Sequence, residues 1–189
     1  VKGSFGNYMG YMFGKHDTIL RGNMSLESNS FDTNEWMSDG EAAPGTAETP
    51  AEEGVVEVPR DVDFVIASNI KKVLYTNMTI ENLNGNVLIK DGTVKMENLA
   101  FNSLGGEFLM NGLYDTREIT HPKFTMDMGI IKLGIKEAVA TFVSLKTIAP
   151  IMQNMDGTFN TNLKFNGELG KDMMPLMNTL TGSGLMSIL

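Results

Sequence analysis

Residues 157–167 place Phe159, Thr161, Leu163 and Phe165 on one side of an extended chain and Asn160, Asn162, Lys164 and Asn166 on the other. Side chains alternate across a β-strand, so this period of two predicts a strand with one buried and one wetted face. The alternation returns at Val62, Phe64 and Ile66, at Met78 and Ile80, at Phe108 and Met110, and at Phe124, Met126, Met128 and Ile130, with glycine at the joints. A chain patterned this way has to hide the apolar side of a sheet. No catalytic constellation competes with the pattern, so the apolar face is the main pointer to function.

The periodicity predicts strands at about 5–13, 18–28, 61–69, 71–76, 77–83, 86–91, 93–103, 106–115 and 121–132, then 157–167 and a last one from Leu185. Asn84-Gly85 and Asp91-Gly92 are tight-turn signals, and Gly105-Gly106 marks another turn. Connections this short join antiparallel neighbours, which makes the sheet a meander. Two short amphipathic helices are predicted. One is 134–147, with Ile135, Ala138, Val139, Phe142 and Val143 on one side; the other is 172–181, with Met173, Leu176, Met177 and Leu180. Asp172 would cap the second, with Pro175 in its first turn. The expected fold is therefore mainly β: an antiparallel, strongly twisted, groove-like meander, with two short helices on or at the end of its apolar face.

The 189 residues suffice for one domain or slightly more. Residues 38–57, SDGEAAPGTAETPAEEGVVE, have no aromatic side chain and little to bury, and read as a flexible acidic linker. The expected organisation is residues 1–37 as the tail of a preceding hairpin unit, the linker at 38–57, and a β-rich domain over 58–189. Hairpin-like units starting at Gly6, Gly106 and Gly157 suggest a weak internal repeat. Val1-Lys2-Gly3 enters strand-like sequence at once and Leu185–Leu189 reads as a strand in progress, so the chain is expected to be a piece of a longer protein.

Charge and composition narrow the function classes. The formal net charge is −8, but nine acidic residues and no Lys or Arg fall between Gly22 and Pro59, leaving fourteen acids against fifteen bases elsewhere. A basic stripe to meet phosphates is missing, which argues against nucleic acid. Cysteine is absent, so thiol chemistry, disulfides and thiolate metal sites are excluded. No apolar run reaches the roughly 18 residues needed to span a bilayer as a helix.

Individual site signals are weak. His16 and His121 lie in turns without metal-ligand spacing. Asn154–Thr158 lacks the alternating acids of a calcium loop. Asp61 and Asp63 share a strand side without a pocket to set their pKa values apart. Gly182-Ser183-Gly184 is no nucleophile elbow. Asn23-Met24-Ser25 and Asn77-Met78-Thr79 match the glycosylation pattern, which matters only in a secretory setting. No cofactor or metal is called for. Fifteen methionines are the compositional oddity, and methionine suits adaptable apolar surfaces. Met78, Met96, Met110, Met126 and Met128 are core if helices cover the sheet, and line a trough if it stays open.

The stretch VPRDVDFVIASNIKKVLYTNMTIENLNGNVLIKDGTVKMENLAFNSLGGEFLMNGLYDTRE, followed by Ile148-Ala149-Pro150, Met155-Asp156-Gly157, Lys171–Pro175 and Leu180–Gly184, resembles the C-terminal region of the AsmA family of bacterial envelope proteins. The likeness runs from Val58 to Met186, about two-thirds of the chain; the acidic insert at 38–57 departs from it. The resemblance implies a periplasmic piece of a protein anchored in the inner membrane by an N-terminal segment outside this chain. It also implies a place in outer-membrane biogenesis and phospholipid movement, by analogy with TamB-type lipid-transfer proteins, and no catalytic residues.

The expected function is thus non-catalytic shielding or transfer of lipid along an apolar groove. The groove is expected to be lined by Phe64, Ile66, Met78, Ile80, Val94, Met96, Phe108, Met110, Phe124, Met126 and Met128. Phospholipid or another envelope lipid would be the ligand, with adjacent β units of the full-length chain and envelope proteins as partners. A scaffold domain with a sealed core is the alternative; a continuous accessible trough separates the two.

Overall fold

The computed structural model describes residues 1–13, 18–34, 54–75, 78–141 and 150–189. Its strands are β1 (Lys2–Gly6), β2 (Leu20–Ser28), β3 (Phe31–Asp32), β4 (Val62–Tyr75), β5 (Met78–Lys90), β6 (Thr93–Ser103), β7 (Gly106–Asp115), β8 (Lys123–Gly134), β9 (Thr158–Glu168) and β10 (Thr181–Ile188). Helices are short: α1 (Tyr8–Phe13), α2 (Ile135–Thr141) and a 3-10 turn at Pro150–Asn154. The strands form one open ten-stranded sheet in the order β1-β2-β4-β5-β6-β7-β8-β9-β10, with β3 pairing on β4. Mainly β with short helices is therefore the fold, and strand makes up 62% of the described residues.

From β4 to β10 every neighbouring pair is antiparallel. Two connections are tight turns through left-handed backbone, at Asp91-Gly92 (φ 46° and 72°) and Leu104-Gly105 (φ 51° and 75°). The Thr93 hydroxyl tightens the first by donating to the Lys90 carbonyl at 2.7 Å. One seam is parallel: β2 runs alongside β4 from Leu20–Val62 to Ser28–Ile70, and β3 continues that line against Val73 and Leu74. Parallel neighbours need a long crossover, which the chain between β3 and β4 supplies. Residues 1–32 therefore join the same sheet as the rest.

Several local expectations are corrected. Residues 8–13 are helical where the periodicity predicts a strand over 5–13, so β1 pairs with β2 across a helix-containing connection; residues 14–17 lie outside the described residues. Asn84-Gly85 is no turn: β5 runs through it, opposite Ser68 and Asn69. The 172–181 helix is absent. Asp172 instead accepts the Met174 N–H at 3.0 Å, Met173 is left-handed at φ 60°, and Pro175 bridges to Leu169. An aspartate bonding two residues ahead and a proline without an N–H favour successive turns over a helix. The 134–147 helix is present over Ile135–Thr141; its continuation, with Phe142 and Val143, lies outside the described residues, as do residues 38–53 of the acidic segment.

The strands bend along a line of bulges. Asn82, Asn98 and Lys132 have positive φ (55°, 51° and 55°), and ladder registers shift beside them. Pairs of consecutive residues turn to the polar side there: Lys71-Lys72, Glu81-Asn82, Glu97-Asn98 and Ile131-Lys132. The apolar face resumes at Val73, Ile80, Leu99 and Leu133. Asparagines on adjoining strands serve the irregular backbone. Asn98 N–H donates to Asn111 Oδ1 at 2.9 Å, and Lys132 N–H donates to Asn160 Oδ1 at 2.8 Å. A bulge leaves a ladder donor unpaired and sharpens local twist, so these amides satisfy what the bulges disrupt.

Gly85 sits within this line at φ 141°; a Cβ there would stand 2.7 Å from the Asn98 carbonyl oxygen and 2.8 Å from Leu99 Cα. Both neighbours are backbone and cannot swing away. Gly85→Ala is expected to cost about 2 kcal/mol or more, read as a lower urea midpoint. Gly6→Ala, whose new Cβ would meet only the Arg21 Cβ at 3.9 Å, is the near-neutral comparison.

Candidate functional site: one apolar face across the sheet

Directly opposed residues on neighbouring strands share a face, so the registers fix which side chains line up. One row runs Gly22, Phe64, Ile89, Val94, Tyr114, Phe124, Gly167. The next runs Met24, Ile66, Val87, Met96, Gly112, Met126, Phe165, Gly182. A third joins Leu99, Met110, Met128, Leu163 and Gly184. Beyond the bulges, Val73 opposes Ile80 and Tyr75 opposes Met78. All the residues expected to line a groove therefore occupy one face, and the parity survives the bulges because each turns two residues outward.

The face is not uniform along its length. At one end α2 buries Ile135, Ala138 and Val139, at helical spacing, with Phe108, Ile130, Leu133, Phe159 and Met152. Phe101, Leu104, Met128 and Met155 pack on this cluster. Phe108, 6% exposed, is thus a core residue and not an open lining position; Met128 stands at the boundary. At the other end the Tyr114 hydroxyl donates to the Val56 carbonyl at 2.8 Å and lies 3.6 Å from Met173 Sδ. Val58 is buried there, its N–H on Thr116 Oγ1 at 2.9 Å.

Between those ends no described element packs across the face; apart from sheet neighbours, the substantial contacts are α1 with β2 and α2 with β8 and the 3-10 turn. Phe64, Ile66, Met78, Ile80, Val94, Met96, Met110, Phe124 and Met126 are all half-buried. Glycines account for much of that shielding. A Cβ on Gly112 would meet Met96 Cε at 2.5 Å, one on Gly22 the Phe64 ring at 2.8 Å, and one on Gly184 Leu163 Cδ2 at 2.7 Å. Large side chains lie flat over glycines of the neighbouring strand, which lowers the relief of the face without a lid.

Sequence reasoning missed Val87, Ile89 and Tyr114 as members of the face. The run Val87-Leu88-Ile89 hides its own parity, and the Asn-Gly reading of 84–85 broke the strand that carries it.

Among the described residues the polar side gathers no cluster of titratable side chains. Its ion pairs are dispersed: Lys90–Asp63 at 2.9 Å, Lys164–Asp127 at 2.8 Å, Lys95–Glu97 at 2.6 Å. Lys136 pairs with Asp156, which holds its ammonium pKa up. Hydrogen bonding from Arg117 holds the Asp115 carboxyl below the usual carboxylate range, while burial pushes the Tyr114 hydroxyl up. His121 Nδ1 lies 3.2 Å from Glu168; His16 is outside the described residues. Among the described residues no cluster of His, Asp and Glu could hold a metal, and no side-chain polar atom is buried without a partner. No helix among them is long and apolar enough to cross a membrane.

Comparison with family models, with curated proteins and with solved structures gave no match.

The closed and open parts of the face should respond differently to truncation. Phe108→Ala is expected to cost about 3–5 kcal/mol, whereas Met110→Ala, half-exposed with adaptable neighbours, should cost roughly 1 kcal/mol; denaturant unfolding checks both. Asp115 has a lowered folded-state pKa, so its contribution is present at neutral pH and lost as pH falls through the folded value. Asp115→Asn should therefore destabilise at pH 7 and become neutral in acid, in urea melts run across that range.

Proposed function

We propose that this chain is a non-catalytic module that shields or carries the acyl chains of membrane lipid on the open middle of its apolar sheet face. One observation carries the reading: the row Ile66–Val87–Met96–Gly112–Met126 continues strand to strand with no described element packed over it. The mechanism is passive. An acyl chain laid along the face leaves water at roughly 0.8 kcal/mol per buried CH₂, and flat-lying methionines re-pack around it. The charged and amide side of the same strands stays wetted.

In this reading the module belongs to an AsmA-like protein anchored in the inner membrane, works in the periplasm in outer-membrane biogenesis, and takes phospholipid or another envelope lipid. The resemblance over Val58–Met186 supports that setting. Adjacent β units are its natural neighbours. The Leu189 N–H points to Thr158 on β9, so by alternation Gly182, Gly184, Met186 and Ile188 turn their backbone groups to the free edge of β10. That edge has no charge and no proline, the features that ordinarily blunt edge strands.

A scaffold role with a sealed core is the second reading, favoured by the cluster beneath α2. Native mass spectrometry with lipid extraction, on protein purified from a bacterial envelope, separates the two. Co-purifying phospholipid, lost in a folded Met110→Asp/Met126→Asp variant, is the expected result. A stable protein free of lipid, in which the double variant changes nothing, would overturn the lipid reading and leave the scaffold.

A further inference from the structure

We propose that the corner of the sheet made by α1 and β1 docks on the surface of an anionic lipid bilayer. The helix reads Tyr8, Met9, Gly10, Tyr11, Met12, Phe13: apart from the glycine every side chain on it is large and apolar or aromatic, and no residue is buried. Phe13 is 78% exposed, Met9 68% and Met12 55%, with Phe5 of β1 beside them at 61%. A helix apolar on all sides belongs under cover. The mixture narrows the cover: tyrosine and phenylalanine settle at a membrane interface, and methionine adapts to irregular acyl packing.

Charge points the same way. The first sixteen residues contain no acid, and residues 1–21 carry three cationic side chains against one acidic one; the remainder carries twelve against twenty-two. Lys2 and Arg21, on the paired strands at this corner, are both exposed. Two acids stand at this corner and both are engaged: Asp61, just before β4, by the Tyr11 hydroxyl, and Asp63, opposite Arg21, by Lys90 at 2.9 Å, which leaves Lys2 and Arg21 facing outward. An anionic surface therefore attracts this corner and repels the bulk of the chain, which orients the molecule as well as binding it. Such an orientation presents the Phe64–Phe124 row toward the membrane and the α2 cluster away from it, because α1 leaves the sheet past Gly6–Arg21, beyond the Gly22–Phe64 pairing. Docking stands whether or not the open face carries lipid.

The test is flotation of the full chain with vesicles of phosphatidylethanolamine containing phosphatidylglycerol, against vesicles of phosphatidylcholine alone. The protein should float with the anionic vesicles and bind them severalfold more weakly at high salt. Met12→Glu/Phe13→Glu, at residues outside the core, should weaken binding at least about tenfold with unchanged circular dichroism. Lys2→Glu/Arg21→Glu should lose the preference for anionic vesicles. The Met110→Asp/Met126→Asp variant should float normally, which separates this proposal from the lipid-carrying one. A wild-type chain that stays with the unbound fraction overturns the proposal. So does a Met12→Glu/Phe13→Glu variant that floats as well as wild type, or concentration-dependent dimerisation through these residues without flotation.

Discussion

A single sheet with one greasy side depends on parity. Each strand has to present alternate residues to the same face as its neighbours, and a slip of one position in any strand would turn its hydrophobic set toward water. The paired rows from Phe64 to Phe124 and from Met24 to Phe165 keep that parity from β2 through to β9. The short turns at Asp91-Gly92 and Leu104-Gly105 hold registers locally, and the glycines opposite Phe64, Met96 and Leu163 make room for the side chains that alternation delivers.

The bulges interrupt this order without breaking it. At Asn82, Asn98 and Lys132 an extra outward residue interrupts the strand, at staggered levels: the β6 bulge stands beside Asn111 of β7 and the β8 bulge beside Glu107. Asn111 and Asn160 take up the displaced N–H groups. The face has two regimes: one end filled by α2 and the 3-10 turn around Leu133 and Phe159, and a stretch where side chains shield one another. Core and open surface are continuous: Phe108 is buried in the cluster beneath α2, while Met110, two positions along the same strand, is only half-buried.

Much of the face was legible because alternation is a local property. Phe124, Met126 and Met128 announce their side without reference to any other strand, and the face they share follows once neighbours are antiparallel. What was illegible depends on partners distant in sequence. Asn84-Gly85 has the dipeptide of a hairpin turn, yet pairing with Ser68 and Asn69 on one side and with β6 on the other keeps it extended. The 172–181 stretch has helical spacing, but Asp172 and Pro175 prefer local turns and Leu176 N–H bonds back to Glu168. Tyr8–Phe13 mimics a strand because its large residues admit either period. Whether Phe108 is covered could not be read from its strand at all; that depends on a helix more than twenty residues later.

The parallel seam between β2 and β4 has a consequence for growth of the sheet. A hairpin turn of two residues fixes the offset of the strands it joins, so adding one residue there would shift the ladder. The chain leaving β3 must instead travel back the length of β4, about 45 Å at strand rise, before it can run alongside β2 again. Its length is then decoupled from the pairing it serves, since closing a longer loop costs only slightly more. The acidic stretch could lengthen, shorten or accept a foreign insert while Leu20 still met Val62. A protein assembled from such sheets has, at each parallel seam, a splice point that its hairpins cannot offer.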